Sequence, residues 1–198
     1  DRRRFAPGRQ LAAEQPAEPA PEVEEPAAEQ PAPSGIPPEL TGWYLRNGPN
    51  PREAGGHWCT GEGMVHGVRL ENGRAAWYRN RWVRTDSFER RVPLLNDDGS
   101  RNLRASAANT HVIQHAGKTL ALMDTALPYE ITHELDTVGA YDFGGQLVDS
   151  MAPHPKVCPA TGELHFFGYG DLTRPHINYY RAGADGTVQI RRLIEVPG

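Results

Sequence analysis

From Ile36 onward, apolar residues come in short runs or alternate with polar ones, and clusters of Gly, Asn, Asp and Pro separate the runs. Alternation at period two over four to eight residues predicts strands. Met64 to Leu70 and Arg74 to Arg84 are two such runs, joined by Glu71-Asn72-Gly73, a strong local hairpin signal. His111 to Gln114 and Thr119 to Asp124 flank a second turn at His115-Ala116-Gly117-Lys118. Glu163 to Tyr169, Ile177 to Arg181 and Thr187 to Val196 form a third group, with Ala184-Asp185-Gly186 before its last run. No stretch holds a helical period over three turns.

Short, evenly spaced strands with polar turns predict an all-β sandwich, barrel or propeller. The three groups start roughly 50 residues apart, which is blade spacing for a propeller. A propeller ring needs roughly 4–8 blades, so the pattern supplies only part of one. The last predicted strand runs almost to Gly198, which reads as the N-terminal portion of a larger protein.

Composition separates off the first 35 residues. They are almost entirely Ala, Pro, Glu and Gln, with too little apolar surface to offset the entropy of ordering. Residues 1–35 are therefore expected to be a disordered tail, and residues 36–198 the folded part. The net charge is −4, with mixed signs and no basic block beyond Asp1-Arg2-Arg3-Arg4, so nucleic acid is not an expected partner. No apolar run approaches the ~20 residues needed to span a bilayer. Two cysteines, Cys59 and Cys158, do not make a disulfide framework, and the reducing cytoplasm is the expected compartment.

The chemistry-bearing residues are histidines, eight in all. No HExxH, CxxC, GxSxG, GxGxxG or P-loop pattern occurs. His154 differs from the rest by its setting, Pro153-His154-Pro155-Lys156. The flanking prolines restrict the local backbone and hold the residue extended. That stiffness suits a metal ligand, but on spacing alone a turn histidine at a blade edge is the favoured reading. His66, His111, His133 and His165 fall in or near predicted strands and read as structural. Trp43, Trp58, Trp77 and Trp82 are expected to fill the cores between blades.

Several blocks, taken in order, resemble the carotenoid cleavage oxygenase family, which includes carotenoid, apocarotenoid and lignostilbene dioxygenases and the retinoid isomerase. They are Leu40 to Pro51, His57 to His66, Asn80 to Thr85, Asn109 to Val112, Leu127 to Glu130, and His154-Pro155-Lys156 with Thr161 to Leu164. The resemblance implies a seven-bladed β-propeller, of which about three blades lie here, holding Fe(2+) on its axis through four histidines. His154 matches the first of these ligands. Asp124 stands where the family places a glutamate that orients a ligand histidine from behind. The implied reaction is cleavage of a conjugated C=C bond by O2, with an apolar polyene or stilbene-like substrate. Peripheral contact with a membrane is a common family trait. With one ligand of the four, the chain is also open to a reading as an inactive propeller remnant. An unrelated propeller hydrolase or lectin-like binder would explain the meanders but not the order of the blocks.

Overall fold

The computed structural model describes residues 20–26, 36–53, 60–169 and 176–195. Its strands are β1 (Glu24–Pro26), β2 (Gly42–Pro49), β3 (Gly63–Glu71), β4 (Arg74–Trp82), β5 (His111–His115), β6 (Lys118–Leu122), β7 (Tyr129–Ile131), β8 (Thr137–Ala140), β9 (Lys156–Val157), β10 (Leu164–Tyr169), β11 (His176–Ala182) and β12 (Val188–Glu195). A single turn of helix, α1 (Asp86–Glu89), follows β4 and is capped by the Thr85 hydroxyl. The strands form three four-stranded antiparallel sheets, in the orders β1-β4-β3-β2, β5-β6-β7-β8 and β12-β11-β10-β9. This is the expected all-β architecture of stacked propeller blades.

The hairpins form where the turn chemistry allows them. Asn72 and Gly73 both take positive φ, 51° and 70°, and close β3 onto β4. Ala116 and Gly117 do the same for β5 and β6, at 50° and 74°. Two positive φ angles in succession match the right-handed twist of the flanking strands.

Packing explains why the sheets stack. Strand β6 is buried on both faces, as expected for the middle sheet of three. Leu120 and Leu122 point into a cluster with Phe143, Met151, Leu164, Phe166 and Tyr180, between the second and third sheets. Ala121, on the other face, joins Val65, Val83, Tyr129, Ile131 and Leu135, between the first and second. Burying a leucine or phenylalanine side chain contributes roughly 1.5–3 kcal/mol, so these two layers dominate the stability. None of the three described tryptophans is in either layer. Trp43, Trp77 and Trp82 are half-buried, and Trp43 meets Trp77 edge-on at 4.5 Å between ring centroids. Both layers hold buried aromatics, Tyr129, Phe166 and Tyr180 among them, so size does not keep the tryptophans out; Trp43 and Trp77 instead flank Arg69 in one cross-strand row of the first sheet. Trp58 lies outside the described residues.

The expected tail needs one correction. Glu24–Pro26 pairs with Trp77–Arg79 of β4 as the outer strand of the first sheet. Asn80 anchors the approach to it, donating from its amide to the Pro21 carbonyl at 3.1 Å. Backbone pairing needs no apolar side chains, so a Pro- and Glu-rich segment can supply an edge strand despite its composition. The remainder of residues 1–35 lies outside the described residues.

Candidate metal centre

The segment that presents His154 is fixed residue by residue. The buried Asp149 carboxylate accepts from the Asn178 amide at 2.5 Å and from the Tyr180 hydroxyl at 2.6 Å, tying the segment to β11. Burial, reinforced by the neighbouring carboxylate, pushes the Tyr180 phenol up, so it stays a proton donor. The Ser150 hydroxyl accepts from the Tyr169 amide at 3.1 Å. The Met151 amide donates to the Ala126 carbonyl at 3.1 Å, and the Ala152 amide to Phe167 of β10 at 2.7 Å. Pro153 and Pro155 then bracket His154. Gly168 is required beneath this segment, because a Cβ there would lie 2.3 Å from the Asp149 carboxylate.

Replacing Asp149 with alanine would strand the Tyr180 hydroxyl and the Asn178 amide in the core. The expected loss of unfolding free energy is about 2–4 kcal/mol. Urea unfolding checks it, and a midpoint equal to that of the parent chain would refute it.

His154 is exposed, and it sits where edge strands of the sheets come together. Strands β2, β5 and β9 are each the edge strand of their sheet. The Asn47 amide of β2 donates to the carbonyls of Ala108 at 2.7 Å and His111 at 3.0 Å, which joins β2 to β5. His111 opens β5, and its ring lies 6.5 Å from that of His154, centroid to centroid. Burial first, then His154 and Lys156, hold the His111 imidazole below its usual pKa.

Asp124 lies in the exposed turn just beyond β6. Leu122, which ends β6, pairs with His111, so Asp124 and His111 share one end of the second sheet. Among the described residues no group of three or more His, Cys, Asp or Glu is placed to hold a metal ion. The donor chemistry here fits one part of an imidazole-held Fe(II) site: His154 presents a ring on a stiffened segment.

Other histidines are engaged elsewhere. The Tyr78 and Tyr179 hydroxyls sit 2.6 and 2.7 Å from Nδ1 of His66 and His165. The two pairs are equivalent cross-strand contacts in the first and third sheets, a repeat between blades that the sequence does not announce. His115 places Nε2 3.0 Å from the Gly162 carbonyl. Burial, and then Arg46, holds the His66 ring below its usual pKa. Arg81 donates to the carbonyls of Val23 and Asn80, a bridging role of the kind its polar setting suggests. Cys158 is a free thiol, while Cys59 and His57 lie outside the described residues.

The closeness of His111 to His154 is what sequence reasoning missed. His111 reads there as a strand-end histidine, and only the stacking of two sheets brings it to His154.

Comparison with known proteins places these features in context. The family described as "Retinal pigment epithelial membrane protein" matches residues 17–198. The carotenoid cleavage oxygenase of Mycobacterium tuberculosis is 43% identical over 180 residues, which cover 87% of this chain and 36% of that protein. A carotenoid 9,10(9',10')-cleavage dioxygenase of Arabidopsis thaliana is 32% identical, over 81% of this chain and 36% of that protein. The crystal structure of Pseudomonas brassicacearum lignostilbene dioxygenase superposes with a TM-score of 0.70 at 28% identity, covering 92% of this chain and 40% of that one. The chain thus spans well under half the length of the relatives it matches.

Proposed function

The chain belongs to the retinal pigment epithelial membrane protein family, that of the carotenoid cleavage oxygenases, and on that premise we propose that it forms part of a non-haem Fe(II) dioxygenase. The substrate class is a carotenoid, apocarotenoid or stilbene, and the reaction splits one conjugated C=C bond with O2. Both atoms of O2 enter the products, one in each new carbonyl, so no further reductant is needed. The observation that carries this reading is the placement of His154 on a braced segment where edge strands of the sheets meet.

Bound Fe(II) would supply the activation of O2. The chain's own part is narrower. His154 would hold the ion through a ring nitrogen, and its braced backbone limits the ways the ring can turn. Asp124 acts from behind as the acceptor that orients a ligand imidazole, one methylene shorter than the glutamate expected there. The chain alone, with no group of three ligands among its described residues, is read as inactive.

Peripheral contact with a membrane would use Leu94 and Leu95, 74% and 45% exposed and preceded by Arg90 and Arg91. No helix among the described residues is long and apolar enough to cross one.

A substrate assay tests the proposal. A protein carrying this chain together with the rest of the fold its relatives possess is supplied with ferrous iron, 18O2 and either an apocarotenoid or a hydroxylated stilbene. The expected result is two carbonyl products, each with one labelled oxygen. Absence of carbonyl products from both substrates would overturn it.

A further inference from the structure

We infer that Asp149 is a positioning residue of the metal centre: it fixes the direction of His154 through the main chain, in place of a hydrogen bond to the ring. The inference rests on the reading of His154 as a ligand and names what aims it.

Three observations carry it. The first concerns the ring. A ligand imidazole is usually turned toward its metal by a carboxylate or carbonyl that accepts from its other nitrogen. Among the described residues no hydrogen bond reaches the His154 ring, from Asp124 or from any other. His66, His115 and His165, by contrast, each have a ring nitrogen at hydrogen-bonding distance from a tyrosine hydroxyl or a backbone carbonyl. The aim of His154 therefore has to come from its backbone.

The second is how that backbone is held. Asn178 and Tyr180 stand two residues apart on β11, and each donates to a different oxygen of the Asp149 carboxylate. Two bonds to two oxygens fix the plane of the carboxylate as well as its place. Asp149, Ser150 and Met151 are all buried. Gly168 of β10 lies so close that a Cβ there would stand 2.3 Å from the carboxylate and 2.4 Å from the Ser150 carbonyl oxygen. The Ala152 amide then bonds Phe167, and Pro153 alone separates it from His154. The third is the amide of Asn178, which is 2% exposed and whose Oδ1 has no hydrogen-bond partner. A buried acceptor without a donor costs stability, and what the amide supplies in return is its bond to Asp149.

The test uses a protein carrying this chain and the rest of its relatives' fold, freed of metal and titrated with Co2+. The visible absorption bands of Co2+ report coordination geometry along with affinity. Asp149→Ala is expected to weaken binding by at least ~10-fold and to change the bands. Tyr180→Phe keeps the ring, removes one of the two bonds and should move both readouts in the same direction, which carries the test should Asp149→Ala fail to fold. Asp149→Asn should stay inside that ~10-fold, because half a turn of the Asn178 amide sets its Oδ1 against the new donor and keeps both bonds. Val65→Ala, in the layer between the first and second sheets, controls for lost stability: its urea midpoint should fall with affinity and bands unchanged. Parental affinity and bands in both Asp149→Ala and Tyr180→Phe would overturn the inference. So would equal losses in Val65→Ala, or an Asp149→Asn as weak as Asp149→Ala, which would assign the role to charge. His154→Ala separates the two claims: it should abolish the parental bands, and if they persist the reading of His154 itself fails.

Discussion

Replacing Gly63 with alanine is expected to lower the unfolding free energy by about 3 kcal/mol or more, the largest loss of stability from adding a single methyl group to this chain. Gly63 opens β3 at the crossing between the first sheet and the segment leading to β5. A Cβ there would stand 2.2 Å from the Ala108 carbonyl oxygen and 2.8 Å from that of Ala107. Both obstacles are backbone, so no side chain can rotate away. They are also pinned: the Gly63 amide donates to the Ala107 carbonyl at 2.8 Å, and the Asn47 amide to that of Ala108 at 2.7 Å. Ala108 already occupies a positive φ of 45°, which leaves it little room to yield. Relief therefore requires parting the first two sheets and opening the layer formed by Val65, Ala108 and Ala121. Urea unfolding of Gly63→Ala against the parent chain measures the effect. A difference below about 0.5 kcal/mol, the range of ordinary surface substitutions, would mean that the crossing is not close-packed.

The largest effect on activity is expected from His154→Ala, made in a protein that carries the whole fold. Turnover should fall by more than ~100-fold, since removing a ligand exceeds the usual ~10–100-fold cost of disturbing what orients one. Stability should barely change, because the ring is exposed and the anchoring contacts come from residues 149–152. That separation distinguishes a metal ligand from a structural turn histidine, which would leave turnover intact.

Where the sequence was informative, the reason is local. Asn72-Gly73 announces its hairpin because few dipeptides tolerate consecutive positive φ angles, whereas Ala116 reaches φ 50° against its own preference and that hairpin is legible from Gly117 and the flanking runs. The alternation of Leu164, Phe166 and Gly168 against His165, Phe167 and Tyr169 marks β10 for the same kind of reason: one face is buried and the other is not. Strand β1 was illegible because it is held through its backbone, which composition does not report. Strand β2 falls in none of the runs picked out by the pattern, since it ends on Asn47-Gly48-Pro49, residues common in turns, yet it pairs through to Gly63. The tryptophans misled because aromatic bulk predicts burial in general, whereas the inter-sheet positions are taken by Tyr129, Phe143, Phe166 and Tyr180 and the row that carries Trp43 and Trp77 pairs with Arg69.

The site divides along the same line. His154 is conspicuous because two prolines adjoin it in the chain. His111 is not, since its neighbour is supplied by the stacking of one sheet on another. The residues that brace His154, among them Asp149, Asn178 and Tyr180, likewise come together only in three dimensions.

The most direct test of the account is the iron content of that same whole-fold protein, purified under ferrous iron and measured by elemental analysis beside its His154→Ala variant. The account predicts one iron per chain in the parent and less than about a tenth of that in the variant, with both equally folded. Full iron occupancy in the variant would contradict it.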